Sequence, residues 1–303
     1  MSNPAAIDHP GVRRDVPLAP FTTYKRGGPA RWFLEVATAA DLDGLVVPED
    51  VPILVLGRGS NLVVAEAGFD GLVLRLGADF ARIEVEPDGT VVAGGAAPLP
   101  KVARAAAAAG RGGLAWLVGV PGSIGGAVAM NAGCFGADTA ETLRWAEIVD
   151  LRTGVRRRAT PADLDHGYRH SNLAADELVT EAAFATTPST REAEEAAMRE
   201  VTRWRRDHQP GGTHNAGSVF KNPPGDAAGR IIDELGLKGL SIGGASVSER
   251  HANFIVAADA ATADDVHALM CEVRDRVATA TGIELVPEIR FVGFADAAPG
   301  GRR

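Results

Sequence analysis

The sequence has few cysteines, few aromatic residues and no long hydrophobic run. Only Cys134 and Cys271 occur among 303 residues, so the sequence does not indicate a disulfide framework, and a reducing compartment fits this composition. No apolar stretch reaches the roughly 18 residues that a membrane-spanning helix requires. Residues 1–20 also lack the apolar core of a secretory signal. These absences predict a cytoplasmic protein without a membrane segment.

Positive charge is in deficit as well. The chain has 31 Lys and Arg against 39 Asp and Glu, a formal net charge of -8. This balance argues against a nucleic-acid-binding protein, whose binding surface is usually basic. There is no H-E-x-x-H motif, and Gly167 argues against the helix that His166 and His170 would need to bind one metal together. We therefore expect no metal site and a small-molecule partner.

Glycine, in contrast, is abundant, with 36 residues, and it is concentrated in two segments. Gly57-Arg58-Gly59-Ser60-Asn61 follows a predicted strand, and its successive backbone N–H groups could hold a pyrophosphate. The alternative is a tight turn between strands. Neither this segment nor any other contains a P-loop, and the segment departs from G-x-G-x-x-G. ATP, GTP and Rossmann-type nicotinamide sites are therefore disfavoured.

The second segment, residues 119–133, contains five glycines and three alanines among its fifteen residues. Because so little side-chain bulk is present, its backbone could lie directly against a flat or phosphorylated ligand. The alternative is a close crossing of a helix and a strand. Two such segments together favour a large nucleotide cofactor.

Short strands and hairpins are predicted before residue 188, and longer helices after it. The predicted hairpins lie at residues 82–93 and 147–158, and the predicted helices at 100–109, 191–206, 228–235 and after Thr262, with further strands at 53–56, 71–76, 253–256 and 284–291. Hairpins mixed with helices in this way indicate an α+β fold rather than a doubly wound parallel sheet.

Six motifs in order along the chain together resemble one enzyme family. They are Thr22–Ala30, Gly57–Asn61, residues 120–133 with Val-Pro-Gly-Ser-Ile-Gly-Gly-Ala and Met-Asn-Ala-Gly, Tyr168–Ser171, Asn215–Pro223 and Val286–Arg290. In this order they resemble the UDP-N-acetylenolpyruvoylglucosamine reductases, from residue 21 to residue 293. No room exists between Ser171 and the helix at Arg191 for the tyrosine-bearing loop of some members, so the chain resembles the shorter class.

This resemblance implies an α+β fold with a two-lobed FAD-binding region of the vanillyl-alcohol-oxidase type and a C-terminal α+β substrate-binding domain. The implied limits are an N-terminal arm at 1–20, FAD-binding lobes at about 21–78 and 79–189, a substrate-binding domain at 190–296 and a tail at 297–303. The implied cofactor contacts are Gly57, Gly59, Ser60, Asn61, Pro121, Gly122, Ser123, Gly125, Gly126, Asn131 and Gly133.

The resemblance also implies the reaction and its catalytic residues. NADPH would reduce FAD, and the enolpyruvyl ether of UDP-N-acetylglucosamine would then be reduced to UDP-N-acetylmuramate for peptidoglycan synthesis. Ser218 corresponds to the general acid, and Arg169 would bind the substrate carboxylate. Glu288 would either carry a proton, donate a hydrogen bond or orient Arg169. Without the resemblance these three residues would be a turn serine, a surface cation and a solvated residue at a strand edge.

Further substrate contacts are implied at Tyr168, Lys221 and Asn222, although Lys221 could equally be a solvated loop cation. Two other functions stay open: an FAD-dependent oxidoreductase of the same scaffold with a different substrate, and a non-catalytic flavin-binding module. The joint presence of Arg169, Ser218 and Glu288 disfavours both. The sequence leaves open the oligomeric state, with a monomer among the alternatives, and the choice between NADPH and NADH.

Overall fold

A computed structural model describes residues 7, 9–212 and 214–295. The chain folds into two compact units, each assembled from separate stretches of sequence. Unit 1 contains the described residues of Met1–Arg14, Trp32–Arg58 and Gly71–Arg205, and unit 2 those of Asp15–Arg31, Gly59–Asp70 and Arg206–Arg303. The contiguous domain limits given above remain a prediction.

The strands of the described residues are β1 (Arg13–Pro17), β2 (Pro29–Val36), β3 (Ile53–Val55), β4 (Leu62–Val64), β5 (Phe69–Leu76), β6 (Ile83–Val85), β7 (Val91–Gly94), β8 (Arg111–Gly112), β9 (Gly133–Cys134), β10 (Ala137–Asp138), β11 (Leu143–Asp150), β12 (Arg156–Ala159), β13 (Glu177–Phe184), β14 (Thr187–Pro188), β15 (Ser241–Ile242), β16 (Ala245–Val247), β17 (Ile255–Ala257) and β18 (Arg290–Val292). The α-helices are α1 (Leu99–Ala108), α2 (Ile124–Met130), α3 (Thr139–Thr142), α4 (Arg191–His208), α5 (Ala228–Glu234) and α6 (Ala263–Thr281).

The largest sheet belongs to unit 1 and has the strand order β12-β11-β13-β7-β6, with every neighbouring pair antiparallel. Both predicted hairpins are confirmed, as β6–β7 and β11–β12. In the first turn the Asp88 carboxylate accepts a hydrogen bond from the Thr90 amide at 2.8 Å, and Gly89 has φ +87°. This side-chain bond and the left-handed glycine are the chemistry that closes a tight turn.

A helix that the sequence analysis did not predict lies inside the second glycine-rich segment. This helix, α2, ends at Met130, and the residue that caps it, Asn131, adopts the left-handed conformation with φ +41°. A Cβ atom on Gly125 would lie 3.2 Å from the Gly95 carbonyl oxygen and 3.3 Å from that of Val179. A close crossing of helix and strand, the alternative raised above, therefore accounts for Gly125, because a larger residue would crowd the backbone of β13.

Unit 2 has its own hydrophobic core, in which α5 and α6 bury apolar residues together with the sheet β15-β16-β17. The predicted cap of α6 is confirmed, since the Thr262 hydroxyl accepts a hydrogen bond from the Asp265 amide at 3.0 Å. Such a side chain satisfies one of the amide groups that the first helical turn leaves unpaired. Strands β4 and β18 pair in parallel.

The strand predicted at 284–291 is wrong over most of its length, because regular pairing begins only at Arg290. Pro287 has no amide hydrogen to give to a strand ladder, and it forms only an isolated bridge with Phe220. Similarly, the strand predicted at 253–256 begins at Ile255. The backbone before both strands is used instead to hold residues 219–221 in place, as described below.

Candidate active site

Arg169 lies in a tight turn of unit 1. Gly167 and His170 form a two-bond bridge that closes the turn, with N···O distances of 3.2 and 3.1 Å. Arg169 itself has φ +52°, a conformation that is unfavourable for a residue with a side chain and is often retained at functional sites. The turn presents Tyr168 to solvent at 54% exposure, with the Arg169 guanidinium carbon 5.3 Å from the centre of its ring.

This turn is attached to the second glycine-rich segment by side-chain hydrogen bonds. The His166 Nε2 atom lies 2.8 Å from the Val128 carbonyl oxygen, and the Ser171 hydroxyl donates to that of Ala129 at 2.6 Å. Burial lowers the pKa of His166, so its ring is favoured as the neutral form that donates from Nε2. The end of α2 therefore determines where Arg169 lies.

The Arg169 guanidinium is fixed in turn by the backbone of Gly133. Its Nη2 atom donates to the Gly133 carbonyl oxygen at 2.8 Å, and a Cβ atom on Gly133 would lie 3.1 Å from Nη1. Asn131 uses both amide hydrogens within the protein, donating to Asp138 and to the Gly167 carbonyl oxygen at 3.2 and 2.9 Å. Both residues are predicted cofactor contacts, and the structure places them beside Arg169.

The two glycine-rich segments meet at Gly57 and Ser123, both in unit 1. A Cβ atom built on Gly57 would lie 2.7 Å from the Ser123 hydroxyl oxygen. Ser123 is 3% exposed, yet its hydroxyl does not cap α2. Gly126 lies nearby, with Ser123 Oγ 3.6 Å from the position of its Cβ. Two further predicted contacts, Pro121 and Gly122, directly precede Ser123. The residues around Gly57 and Ser123 therefore combine very little side-chain bulk with a buried hydroxyl.

The last three residues of the first glycine-rich segment, Gly59, Ser60 and Asn61, belong to unit 2. Gly59 has φ +62°, and a Cβ atom there would lie 2.0 Å from the Phe21 carbonyl oxygen. Beyond Ser60, the Asn61 side chain donates to the Glu288 carbonyl oxygen at 3.1 Å, and its own carbonyl accepts from the Arg290 amide at 3.0 Å. Gly59, Ser60 and Asn61 thus lie in a turn that is bonded to the backbone of a predicted catalytic residue.

Ser218 and Glu288 are held by one network of unit 2. Ser218 follows Gly217, which has φ +82°, and precedes Val219, whose carbonyl oxygen accepts from the Glu288 amide at 2.8 Å. The Lys221 amide donates to the Val286 carbonyl oxygen at 2.8 Å. Both predicted catalytic residues are half-buried. The structure therefore brings together the backbones of two predicted catalytic residues that are distant in sequence.

A cavity of about 470 Å³ opens beside Ser218. Its lining residues are Ser218, Asn222, Ala227, Gly229, Arg230, Asp233, Lys238, Arg250, His251, Ala252 and Asn253. Three of these are lysine or arginine and one is an aspartate. Arg230 and Lys238 already pair with carboxylates, so an anionic ligand would compete with those pairs or bind at Arg250. The Asn222 side-chain oxygen accepts from the Ala228 amide at 3.1 Å, which ties this predicted substrate contact to the start of α5.

The cations Lys238 and Arg250 are absent from the sequence-based list of site residues. Neither belongs to the sequence motif that contains Ser218, and from the sequence each would be interpreted as an ordinary surface charge. Lys238 pairs with Asp233 at 2.6 Å, while Arg250 is exposed. Only the folding of unit 2 places these charges around the same cavity as Ser218.

Comparison with known proteins decides the family. Residues 209–292 match the family described as the UDP-N-acetylenolpyruvoylglucosamine reductase C-terminal domain, and residues 36–160 match an FAD binding domain. A UDP-N-acetylenolpyruvoylglucosamine reductase of Acidiphilium cryptum is 46% identical over 282 residues, covering 92% of this chain and 91% of that protein. The chain belongs to the UDP-N-acetylenolpyruvoylglucosamine reductase family.

Other members of this family agree with the assignment. The reductase of that name from Caulobacter vibrioides is 43% identical over 93% of this chain and 94% of its own length. The crystal structure of the enzyme from Thermus caldophilus matches with a TM-score of 0.81 and 36% identity, covering 93% of this chain and 98% of that one. The predicted resemblance, the α+β fold class, the flavoenzyme class and the FAD cofactor are confirmed.

The residues around Gly57 and Ser123 fit an FAD. A dinucleotide cofactor needs backbone that it can approach closely and polar groups for its phosphates and ring edges. This part of unit 1 supplies glycines from two segments and a buried hydroxyl that α2 does not use.

Across the described residues, no helix is long and apolar enough to cross a membrane.

Proposed function

We propose that this chain reduces the enolpyruvyl ether of UDP-N-acetylglucosamine to UDP-N-acetylmuramate with NADPH, and that Arg169, Ser218 and Glu288 act on the substrate. The observation that carries the proposal is family membership over nine-tenths of the chain, 92% for the Acidiphilium cryptum reductase, with all three residues present in the motifs. We infer from the family relationship that the three side chains act on one substrate. A cytoplasmic location, where nucleotide-linked sugars are made, belongs to the same proposal.

The reduction requires a hydride at one carbon of the double bond and a proton at the other. FAD, when bound, supplies the chemistry that moves a hydride from NADPH to the enolpyruvyl methylene carbon. Ser218 then donates its hydroxyl proton to the carbon next to the carboxylate. Because a serine hydroxyl is a very weak acid, this transfer requires a strongly basic carbanion and close placement of the hydroxyl. The hydrogen bonds on Val219 and the turn at Gly217 support that placement.

Arg169 binds the substrate carboxylate, where negative charge develops as the hydride arrives. A guanidinium suits this task, because its planar donors match the two carboxylate oxygens and its charge is permanent. The hydrogen bond to the Gly133 carbonyl oxygen engages one edge of the group. This bond restricts the side-chain rotamers before substrate binds, so less conformational entropy is lost on binding.

Glu288 acts through a proton that it carries or a hydrogen bond that it donates, because an ionised carboxylate would repel the enolate-like charge. Its backbone is held on both sides, by Val219 through the amide and by Asn61 through the carbonyl. The cavity beside Ser218 is the proposed place for the diphosphate. Asn222, Lys238 and Arg250 line it, and Lys221 directly precedes Asn222 in the chain. Lysine supplies a point charge of the kind that phosphate groups bind.

The test separates the two half-reactions in stopped-flow measurements. Ser218→Ala should leave flavin reduction by NADPH nearly unchanged and slow flavin reoxidation by the enolpyruvyl substrate by roughly 10²- to 10⁴-fold, the usual contribution of a general acid. Ser241→Ala, an exposed serine of the same unit, is the matched control and should change neither rate. An equal fall in both half-reactions for Ser218→Ala would show that Ser218 is not the proton donor.

Arg169→Met gives an independent check of the carboxylate-binding role. Loss of the guanidinium should slow flavin reoxidation on the order of 10²- to 10³-fold, as removal of one oxyanion donor does in other enzymes. A protein that binds no FAD, or whose reduced flavin is not reoxidised by the enolpyruvyl substrate, would refute the proposed reaction itself.

A further inference from the structure

Residues 219–221 carry the backbone next to Ser218, and they belong to no regular strand or helix. One amide and one carbonyl of these residues bind the segment 286–288. The Lys221 amide donates to the Val286 carbonyl oxygen, and the Val219 carbonyl oxygen accepts from the Glu288 amide, each at 2.8 Å. The other groups of Val219 and Phe220 face away from that segment. Buried backbone groups need partners, so the question is what binds them.

Asn253 binds all of them. Its side-chain nitrogen donates to the Phe220 carbonyl oxygen at 2.8 Å, and its side-chain oxygen accepts from the Phe220 amide at 2.9 Å. Its own backbone carbonyl accepts from the Val219 amide at 2.9 Å. The carboxamide thus bonds to Phe220 as a peptide group of a neighbouring strand would.

Asn253 is 4% exposed and lines the same cavity as Ser218. On the other side of Ser218 lies Gly217, which has φ +82° and intrinsically few conformational limits. Together with the bond from the Glu288 amide to the Val219 carbonyl oxygen, the Asn253 bonds to Val219 and Phe220 are therefore the fixed points nearest to Ser218 on its C-terminal side. Low-dielectric surroundings strengthen such fully satisfied bonds and make their loss costly.

We propose that Asn253 is a positioning residue for the proton transfer: it sets the location of the Ser218 hydroxyl through the backbone of residues 219–220. The inference rests on the proposed function for its catalytic consequence, while its structural part stands on the hydrogen bonds alone. Asn253 does not act on the substrate itself. Its contribution is the geometry of the donor, and this geometry matters because proton transfer from a weak acid tolerates little displacement.

The test compares FAD-loaded Asn253→Ala and Asn253→Asp with Val273→Ala, a change in the buried face of α6. The aspartate keeps the size and the acceptor for Phe220 N–H but, when ionised, loses the donor to the Phe220 carbonyl oxygen. Both Asn253 variants should slow flavin reoxidation by the enolpyruvyl substrate by about 10²-fold, the effect of a shift of about 1 Å. Reduction by NADPH should change little, and the solvent isotope effect on reoxidation should increase.

Val273→Ala tests whether lower stability alone produces this pattern. It should lower the melting temperature of the protein and leave both half-reactions and the solvent isotope effect at their original values. If Val273→Ala and Asn253→Ala give the same profile, or if Asn253→Ala reoxidises at the original rate, the positioning role is refuted.

Hydrogen–deuterium exchange separates failure of this inference from failure of the proposed function. In Asn253→Ala the amides of Val219 and Phe220 should exchange faster, and in Val273→Ala they should keep their protection. Unchanged protection in Asn253→Ala overturns the inference whatever the substrate is. If instead the unmodified protein is not reoxidised by the enolpyruvyl substrate, the proposed reaction fails, and the exchange data still decide whether Asn253 holds residues 219–220.

Discussion

Substitution of Gly57 by alanine tests whether the two glycine-rich segments meet as the structure shows. The new Cβ atom would lie 2.7 Å from the Ser123 hydroxyl oxygen but 3.9 Å from the Ser123 Cβ atom. The first distance is a steric overlap and the second an ordinary contact. Ser123 is 3% exposed, so its hydroxyl has little space in which to rotate away, and all of the strain depends on one oxygen atom.

The magnitude follows from two opposing effects. Overpacking at a buried site typically costs about 1–3 kcal/mol, while alanine in place of glycine stabilises by about 0.4–1 kcal/mol because the unfolded chain loses conformational freedom. We therefore expect Gly57→Ala to destabilise unit 1 by about 1–2 kcal/mol. If the same displacement is transmitted to the cofactor, FAD affinity should fall by roughly 5- to 30-fold, at 1.4 kcal/mol for each factor of ten.

The assay is a double-mutant cycle of Gly57→Ala and Ser123→Ala. Urea denaturation gives the free energies of unfolding, and quenching of flavin fluorescence gives FAD affinity. Because Ser123→Ala removes the overlapping hydroxyl oxygen, the double variant should recover about 1 kcal/mol or more relative to the sum of the single changes. Gly211→Ala, which has no heavy atom within 4 Å of its new Cβ, is the control. Strictly additive effects of the two substitutions would refute the predicted contact.

Two further predictions concern stability. Burial lowers the pKa of His166 below its ordinary value of 6.5. The contribution of neutral His166 to the free energy of unfolding is therefore complete above pH 6.5. It is lost as pH falls from there through the folded-state pKa, because the unfolded chain binds the proton first. His166→Gln should therefore flatten the decline of the melting temperature below pH 6.5. An unchanged slope in His166→Gln would contradict the assignment. Arg26 donates to three backbone carbonyls within residues 258–261, so Arg26→Met should lower the free energy of unfolding by about 1–3 kcal/mol in denaturant titration. Arg14→Met, at an exposed position, should change it by less than about 0.5 kcal/mol, and equal effects of the two would show that the three bonds add no stability.

Much of the local structure follows from short-range patterns in the sequence. The hairpin at residues 82–93 is signalled by Asp88 and Gly89, which close the turn with bonds to adjacent residues. The cap of α6 is signalled by Thr262, whose partner Asp265 is three residues away. Such features depend on only a few neighbouring residues, so they can be recognised before the chain path is known.

The site is different, because its residues are distant in sequence. The motifs containing Arg169, Ser218 and Glu288 identify the family, but no local pattern indicates that Gly57 lies against Ser123 or that Lys238 lines a cavity with Ser218. The prediction of a strand at 284–291 failed for the same reason. Val286 and Glu288 bind residues 219–221, an arrangement that apolar periodicity does not encode.

The sequence alone thus determined the α+β class, most helices and hairpins, the flavoenzyme family and the identity of the candidate catalytic residues. Only the tertiary structure showed how those residues are held: the turn of Arg169 by α2 and Gly133, and the backbone beside Ser218 by an asparagine 33 residues further along the chain. The physical reason is that propensities, caps and turns act between near neighbours, whereas a buried carboxamide finds its partners only after the hydrophobic core has fixed the path of the chain.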